Sequence, residues 1–184
     1  MKTTIATLMM ATSTLGGQCF AAETTSTNSS GLAAPGAATA TNQIKLTVVK
    51  VDSEETSGED GKGANAVDGN PETFWHTQWQ DASPGHPHEI IIQLSKPATI
   101  KGLTYLPRQD DSENGTIKDY EIYLSDDGKD FGEPVKKGAF GAGKEKKTAM
   151  FGAKKCSFIR LRAISEINGE AWTSAAEIGI VRAD

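Results

Sequence analysis

Between Asn65 and Trp79 the chain reads NAVDGNPETFWHTQW, its densest run of oxygen ligands and aromatic rings. Asp68, Asn70 and Thr73 place three oxygen donors within six residues, around a glycine that permits a sharp turn. Calcium takes about six to eight hard oxygen ligands, backbone carbonyls included. One loop rarely supplies them all, so a second segment must bring an acid, and Glu177, after Ala175 and Ala176, is the candidate. Asp-Gly-Asn-Pro is equally the pattern of a plain turn. Other residues carry similar alternatives. His76, read alone, is a satisfied structural histidine. Arg108, after Pro107, can form a surface ion pair with Asp110 or Asp111. Trp172 lies in a Gly-Glu-Ala loop with little reason to be buried, and an exposed tryptophan marks a binding platform. Trp75, next to Phe74, reads as core, and His86 and His88, on either side of Pro87, read as non-ligands.

Loops can gather such distant residues only on a rigid scaffold, and the scaffold expected is all-β. Ile44 to Val48, Ile100 to Tyr105 and Tyr120 to Leu124 alternate apolar and polar residues. Between Phe158 and Ile164, Ile159, Leu161 and Ala163 face one way, Arg160 and Arg162 the other. Ile90 to Leu94 reads as a strand buried on both faces, and Ile178 and Ile180 continue the period near the end. A period of two indicates strands. Turn signals separate them at Asp68-Gly69-Asn70-Pro71, Asn114-Gly115, Asp127-Gly128 and Asn168-Gly169. The run Lys144 to Lys147 reads as a charged hairpin end. There is no segment of helical period over three turns and no internal repeat. Many short strands with such turns predict an antiparallel sandwich or barrel.

The segment Val67 to Trp79 resembles the signature of the coagulation factor V/VIII type C, or discoidin, superfamily. More narrowly it is similar to carbohydrate-binding module family 32, the galactose-binding modules of bacterial sialidases and galactose oxidase. The likeness continues through Asp52 to Gly61, Leu106 to Asp110, Asp119 to Ser125, Phe158 to Arg162 and Glu166 to Glu177, so it covers roughly residues 44–183. It implies a galactose-binding-domain-like antiparallel jelly-roll β-sandwich of about eight strands. It implies a structural calcium held by side chains of Asp68, Thr73 and Glu177 and by the carbonyls of Asn65, Asn70 and Ala176. It implies a sugar site at one end of the sandwich. There Glu59, His76, Arg108 and Asn114 bond hydroxyls, Trp172 stacks on the apolar sugar face, and Trp79 lines the same area. The expected function is lectin-like binding of galactose or N-acetylgalactosamine without catalysis. The alternative is a discoidin-type adhesion domain on a protein or phospholipid surface, which the acids Glu59, Asp110, Asp111 and Glu113 disfavour for an anionic bilayer. Hydrolysis needs two carboxylates across a sugar bond, and Glu59 is the one acid assigned beside the sugar.

Composition sets the outer limits. The 184 residues leave room for one domain of ordinary size, too little for an enzyme as well, so the expectation is a module that works alone or recruits a separate glycan-degrading enzyme through its linker. Residues 1–22 read as a signal peptide, with Lys2, a mildly apolar stretch from Ile5 to Leu15, and small residues at Ala21 and Ala22. The alternative is a structureless cytosolic tail. No lipid anchor is expected, and the stretch is too short and polar to span a bilayer. Residues 23–43, rich in Thr, Ser and Ala, predict a flexible linker before a domain at 44–184. The location expected is secreted or periplasmic. Net charge is −5, and −6 once Lys2 leaves with the leader, a poor match for nucleic acid. Cys156, left alone beside Cys19 of the leader, reads as a buried structural thiol.

Overall fold

The computed structural model describes residues 43–183; the leader and all but the last residue of the linker expected from sequence lie outside them. Eight strands follow in order: β1 (Leu46–Val51), β2 (Trp75–His76), β3 (His88–Leu106), β4 (Asp119–Ser125), β5 (Lys136–Ala139), β6 (Lys147–Ala163), β7 (Ser174–Ala175) and β8 (Glu177–Arg182). A short 3-10 turn, Gly63–Val67, is the one helical element among the described residues. No helix in them is long and apolar enough to cross a membrane. Every strand pairing is antiparallel, as the turn-rich alternating sequence requires.

Two strands expected from the sequence, Ile90 to Leu94 and Ile100 to Tyr105, are halves of one. β3 pairs through residues 90–94 with β1 and through 100–106 with β8, while β6 follows it along both halves. The register with β6 breaks between Gln93 and Ala98, where Leu94, Ser95, Lys96 and Pro97 intervene. Proline has no N–H to give a ladder, so a break is where it is tolerated. Ile90, Ile92 and Leu94 before the break and Ile100, Leu103 and Tyr105 after it enter one buried cluster with Ile122, Ile159, Leu161 and Ile178. The two halves therefore cover the same core, in the manner of a strand that passes from one layer of a sandwich to the other. Ile91 faces outward into a smaller cluster with Tyr123 and Phe131, so this strand is buried on both faces as its apolar run predicts. Arg160 and Arg162 also face outward; Arg160 lies 4.2 Å above the Tyr123 ring. Trp75 and Cys156 are core residues.

The turnover matters for position. His88 and Leu106 both lead into one loop-bearing end, whereas β1 begins beside Leu94 and β8 ends beside Ile100, next to the break. At the loop end, the buried Tyr105 hydroxyl donates to the Ser174 carbonyl and accepts from the Ile117 N–H, both at 3.0 Å. Gly115 has φ +82° and its backbone lies so close to β7 that a Cβ would sit 2.6 Å from the Ser174 nitrogen. Only glycine meets both demands, so the turn after Asn114 is fixed against β7.

Candidate functional site

A pocket of about 230 Å³ opens among these loops, lined by Glu59, His76, Trp79, Arg108, Asn114 and Trp172 together with Ser112. The six residues assigned from the resemblance thus come from four loops and β2 to one place. Ser112 was not anticipated; its hydroxyl accepts the Asn114 N–H at 3.1 Å and shapes that loop.

His76 is buried, with Nδ1 2.7 Å from the Thr77 carbonyl oxygen. A carbonyl can only accept, so Nδ1 carries the proton and Nε2 presents a lone pair, unpaired among the described residues. Burial, ahead of all other influences, holds the ring below its ordinary pKa, so it is neutral at pH 7. Arg108 resolves two sequence alternatives at once. It does pair with Asp110, through Nε at 2.7 Å, but it is 8% exposed and lies against the pocket, not on the open surface. Its guanidinium is 4.2 Å over the Phe74 ring, and Nη1 has no partner among the described residues. A stacked, ion-paired guanidinium with free N–H groups is a preorganised donor. Hydrogen bonding from Arg108 in turn holds the Asp110 carboxyl below its usual range.

The tryptophans differ from expectation. Trp172, expected to be exposed, is half-buried, with its ring 6.4 Å from His76 and its Nε1 donating to Ser83 Oγ at 3.1 Å. Trp79 is the more open ring, 38% exposed, and its Nε1 donates to Glu59 Oε1 at 3.0 Å. The cause is the loop after Trp79, whose Ser83 caps the edge of Trp172. Asn114 is exposed at the rim, and its carbonyl accepts from Ser174 Oγ at 2.9 Å.

Sequence reasoning does not find the residues that hold these loops. Glu55 is fully buried. Its Oε1 accepts the N–H groups of Ser57 (2.7 Å) and Gly58 (2.9 Å), and its Oε2 those of Trp79 and Gln80, both at 2.8 Å. The Trp79 N–H first, then that of Gly58, lower its pKa to about 2. One carboxylate therefore ties the loop bearing Glu59 to the loop bearing Trp79. Glu166 does likewise in front of Trp172, with Oε2 accepting from Asn168 and Glu170. A buried acid without a basic partner nearby in sequence gives little sign of this role, since its partners are backbone amides.

The F5/8 type C domain family model matches residues 37–178. The chain belongs to this family. Among curated proteins it is 43% identical over 140 residues to a sialidase of Micromonospora viridifaciens, across 76% of this chain and 22% of the sialidase. It is 40% identical over 136 residues to galactose oxidase of Gibberella zeae, across 73% of this chain and 20% of the oxidase. The chain thus spans about a fifth of the length of these relatives. A CBM32 module of Clostridium perfringens in complex with GalNAc-β-1,3-galactose superimposes with a TM-score of 0.65 at 30% identity, over 75% of this chain and 94% of that one. The family 32 module of Clostridium perfringens NanJ in complex with galactose does so at 0.63 and 28%, over 74% and 93%.

The resemblance that places this chain among F5/8 type C domains also implies a calcium, and its donors can be tested against the fold. Thr73 Oγ1 donates to Asp68 Oδ2 at 2.7 Å and lies 2.9 Å from the Asn70 carbonyl. Glu177 sits against this loop with Oε1 buried and unpartnered among the described residues. Burial first, and the charge of Asp68, raise its pKa, against hydrogen bonding from the Gly69 amide. The 3-10 turn that carries Asn65 packs on β8, which Ala176 precedes. An orphaned carboxylate oxygen beside a second carboxylate, a hydroxyl and backbone carbonyls fits a hard cation. No group of three or more His, Cys, Asp or Glu side chains gathers among the described residues, so most of the shell would be neutral oxygen.

Proposed function

We propose that this F5/8 type C domain is a non-catalytic carbohydrate-binding module that takes a galactose or N-acetylgalactosamine residue into the pocket between Arg108 and Trp172. The observation that carries the reading is the chemical variety fixed in so small a space. Arg108 offers free N–H groups, His76 Nε2 and Glu59 offer acceptors, and two indoles offer apolar faces. A galactose ring has hydroxyls of both roles and one apolar C–H face. Its axial O4 can accept from Arg108 and donate to His76. Arg108 is held by Phe74 and Asp110 before any ligand arrives, which reduces the ordering cost of binding. The solved relatives bound to galactose and to GalNAc-β-1,3-galactose support the sugar class.

The absence of catalysis is inferred from the pocket lining, in which Glu59 is the single carboxylate, whereas glycoside hydrolysis uses two. Calcium, held by Asp68, Thr73, Glu177 and the carbonyls of Asn65, Asn70 and Ala176, would neutralise the buried acid and tie the segment before β2 to β8. Export to the periplasm or beyond is the location the leader-like residues 1–22 support, and a glycan-degrading enzyme is the partner such a module would serve. A glycan array probed with the full chain, with and without chelator, tests the proposal. Signal confined to galactose- and N-acetylgalactosamine-terminated glycans supports it. No signal on any such glycan, with binding to anionic phospholipid vesicles or a protein surface in a parallel assay, overturns it in favour of adhesion.

A further inference from the structure

His88 is completely buried and plays no part in lining the pocket, yet both of its ring nitrogens meet acceptors. Nδ1 lies 2.8 Å from Asp52 Oδ2 and Nε2 lies 2.8 Å from the Ala171 carbonyl oxygen. The other Asp52 oxygen accepts the Glu89 N–H at 2.7 Å. A neutral imidazole has a single N–H, so two such bonds require the imidazolium. Ala171 immediately precedes Trp172. Beyond it, Thr173 is tied to Thr77, the residue after β2, through its N–H to Thr77 Oγ1 at 2.9 Å. Glu166 holds the Glu170 N–H, and the His88 contact is therefore the nearest anchor on the N-terminal side of the Trp172 ring.

We propose that His88 is a positioning residue for the sugar pocket: as an imidazolium held by Asp52 it fixes the Ala171 carbonyl and with it Trp172, and losing its proton loosens that wall of the pocket. The inference rests on the galactose reading for its effect on affinity, but not for its structural part. Two titratable groups face His88. Asp52 is ionised, since hydrogen bonds from His88 and Glu89 outweigh burial and lower its pKa. His86, edge-on with ring centroids 4.9 Å apart, is kept neutral by burial and then by the positive charge of His88. Burial alone would lower the pKa of His88, but its bonds to Asp52 and Ala171 prevail and raise it. Above that pKa the remaining proton stays on Nδ1, because a bond to a carboxylate outweighs one to a carbonyl. Nε2 then turns a lone pair on the Ala171 oxygen, and the contact becomes repulsive.

The same logic gives Asp52→Asn an unusual signature. Its Oδ1 still accepts the Glu89 N–H, while its Nδ2 can donate to a neutral His88 at Nδ1. The ring then keeps its proton on Nε2, and the Ala171 bond survives at every pH.

The test is nuclear magnetic resonance of the full chain without sugar, from about pH 5.5 to 9.5, following the three histidines and three tryptophan indoles. Expected are two protonated nitrogens on His88 at neutral pH, and a Trp172 indole signal that moves with the His88 midpoint, above the ~6.5 of free imidazole. His76, 6.4 Å from Trp172, titrates on the acid side and is thereby separated. With galactose as probe, wild-type affinity falls roughly three- to tenfold across the His88 midpoint, whereas Asp52→Asn affinity is flat over the same range. A singly protonated His88 at neutral pH, or a Trp172 signal indifferent to it, overturns the proposal. A Trp172 signal that follows His88 in a protein that binds no galactoside sustains the positioning role and sinks the sugar reading instead.

Discussion

Arg108→Lys keeps a positive charge in the pocket and removes the fork. In the wild type, Asp110 occupies one edge of the guanidinium, Phe74 lies 4.2 Å from its face, and Nη1 is left for a ligand. A lysine ammonium is one compact point. It can satisfy Asp110 or a sugar hydroxyl but cannot hold both in the same plane. Losing one charge-assisted hydrogen bond to a hydroxyl costs about 1.5–3 kcal/mol, or roughly ten- to a hundredfold in Kd for galactose. The folded state loses much less. The Asp110 side chain is 44% exposed, so its ion pair contributes little. The lost stacking on Phe74 is worth about 1 kcal/mol, a fall in Tm of about 4 °C for a domain of this size. Isothermal titration with galactose and a thermal melt of the same preparation read the two effects separately. A Kd within about twofold of wild type would show that Arg108 does not touch the sugar. A collapse in Tm to match the lost affinity would show that its role is structural.

Three further outcomes are expected. Glu55→Gln turns two of the four acceptor contacts into donor-against-donor contacts, so the loops of Glu59 and Trp79 separate; galactose affinity falls severalfold and Trp79 fluorescence shifts, while unchanged emission would contradict the clamp. His76 is neutral at pH 7 and burial depresses its pKa, so galactose affinity holds as pH falls past the ordinary ~6.5 of imidazole and declines only on the acid side of it, when a second cation forms beside Arg108; His76→Gln should remove that acid limb. If calcium occupies the Asp68–Glu177 site, an ion at a hundredfold excess over its Kd stabilises the fold by about 2.7 kcal/mol, so chelator lowers Tm, Glu177→Ala abolishes the response, and a chelator-insensitive wild-type melt refutes the assignment.

The sandwich was legible because its central strands carry a strict period of two. Ile159, Leu161 and Ala163 face the core and Arg160 and Arg162 leave it, as their alternation requires. The first half of β6 and all of β5 were not legible. Residues 147–155 include three lysines and bury only Lys147 and Ala149, and Lys147, read as a hairpin end, instead begins β6 with its Nζ on Glu145. Nor could the sequence say that Ile90 and Ile100 belong to one folded-over strand, since a proline between two apolar runs does not tell a bend within a strand from a gap between two. The pocket residues emerged from family likeness, because Glu59 and Trp172 are 113 positions apart and no local pattern joins them. Glu55 and His88 stayed hidden for a different reason. The partners of Glu55 are backbone amides, and those of His88 are a carbonyl and an aspartate 36 positions away, which no local pattern joins.

The central claim is that a preorganised pocket selects an axial O4 hydroxyl through Arg108 and His76. Isothermal titration of the full chain against galactose, N-acetylgalactosamine and glucose tests it most directly. The account predicts saturable one-to-one binding of the first two and at least roughly tenfold weaker binding of glucose, which differs from galactose only in presenting O4 equatorially. Equal affinity for galactose and glucose, or no heat with any galactoside, would contradict it.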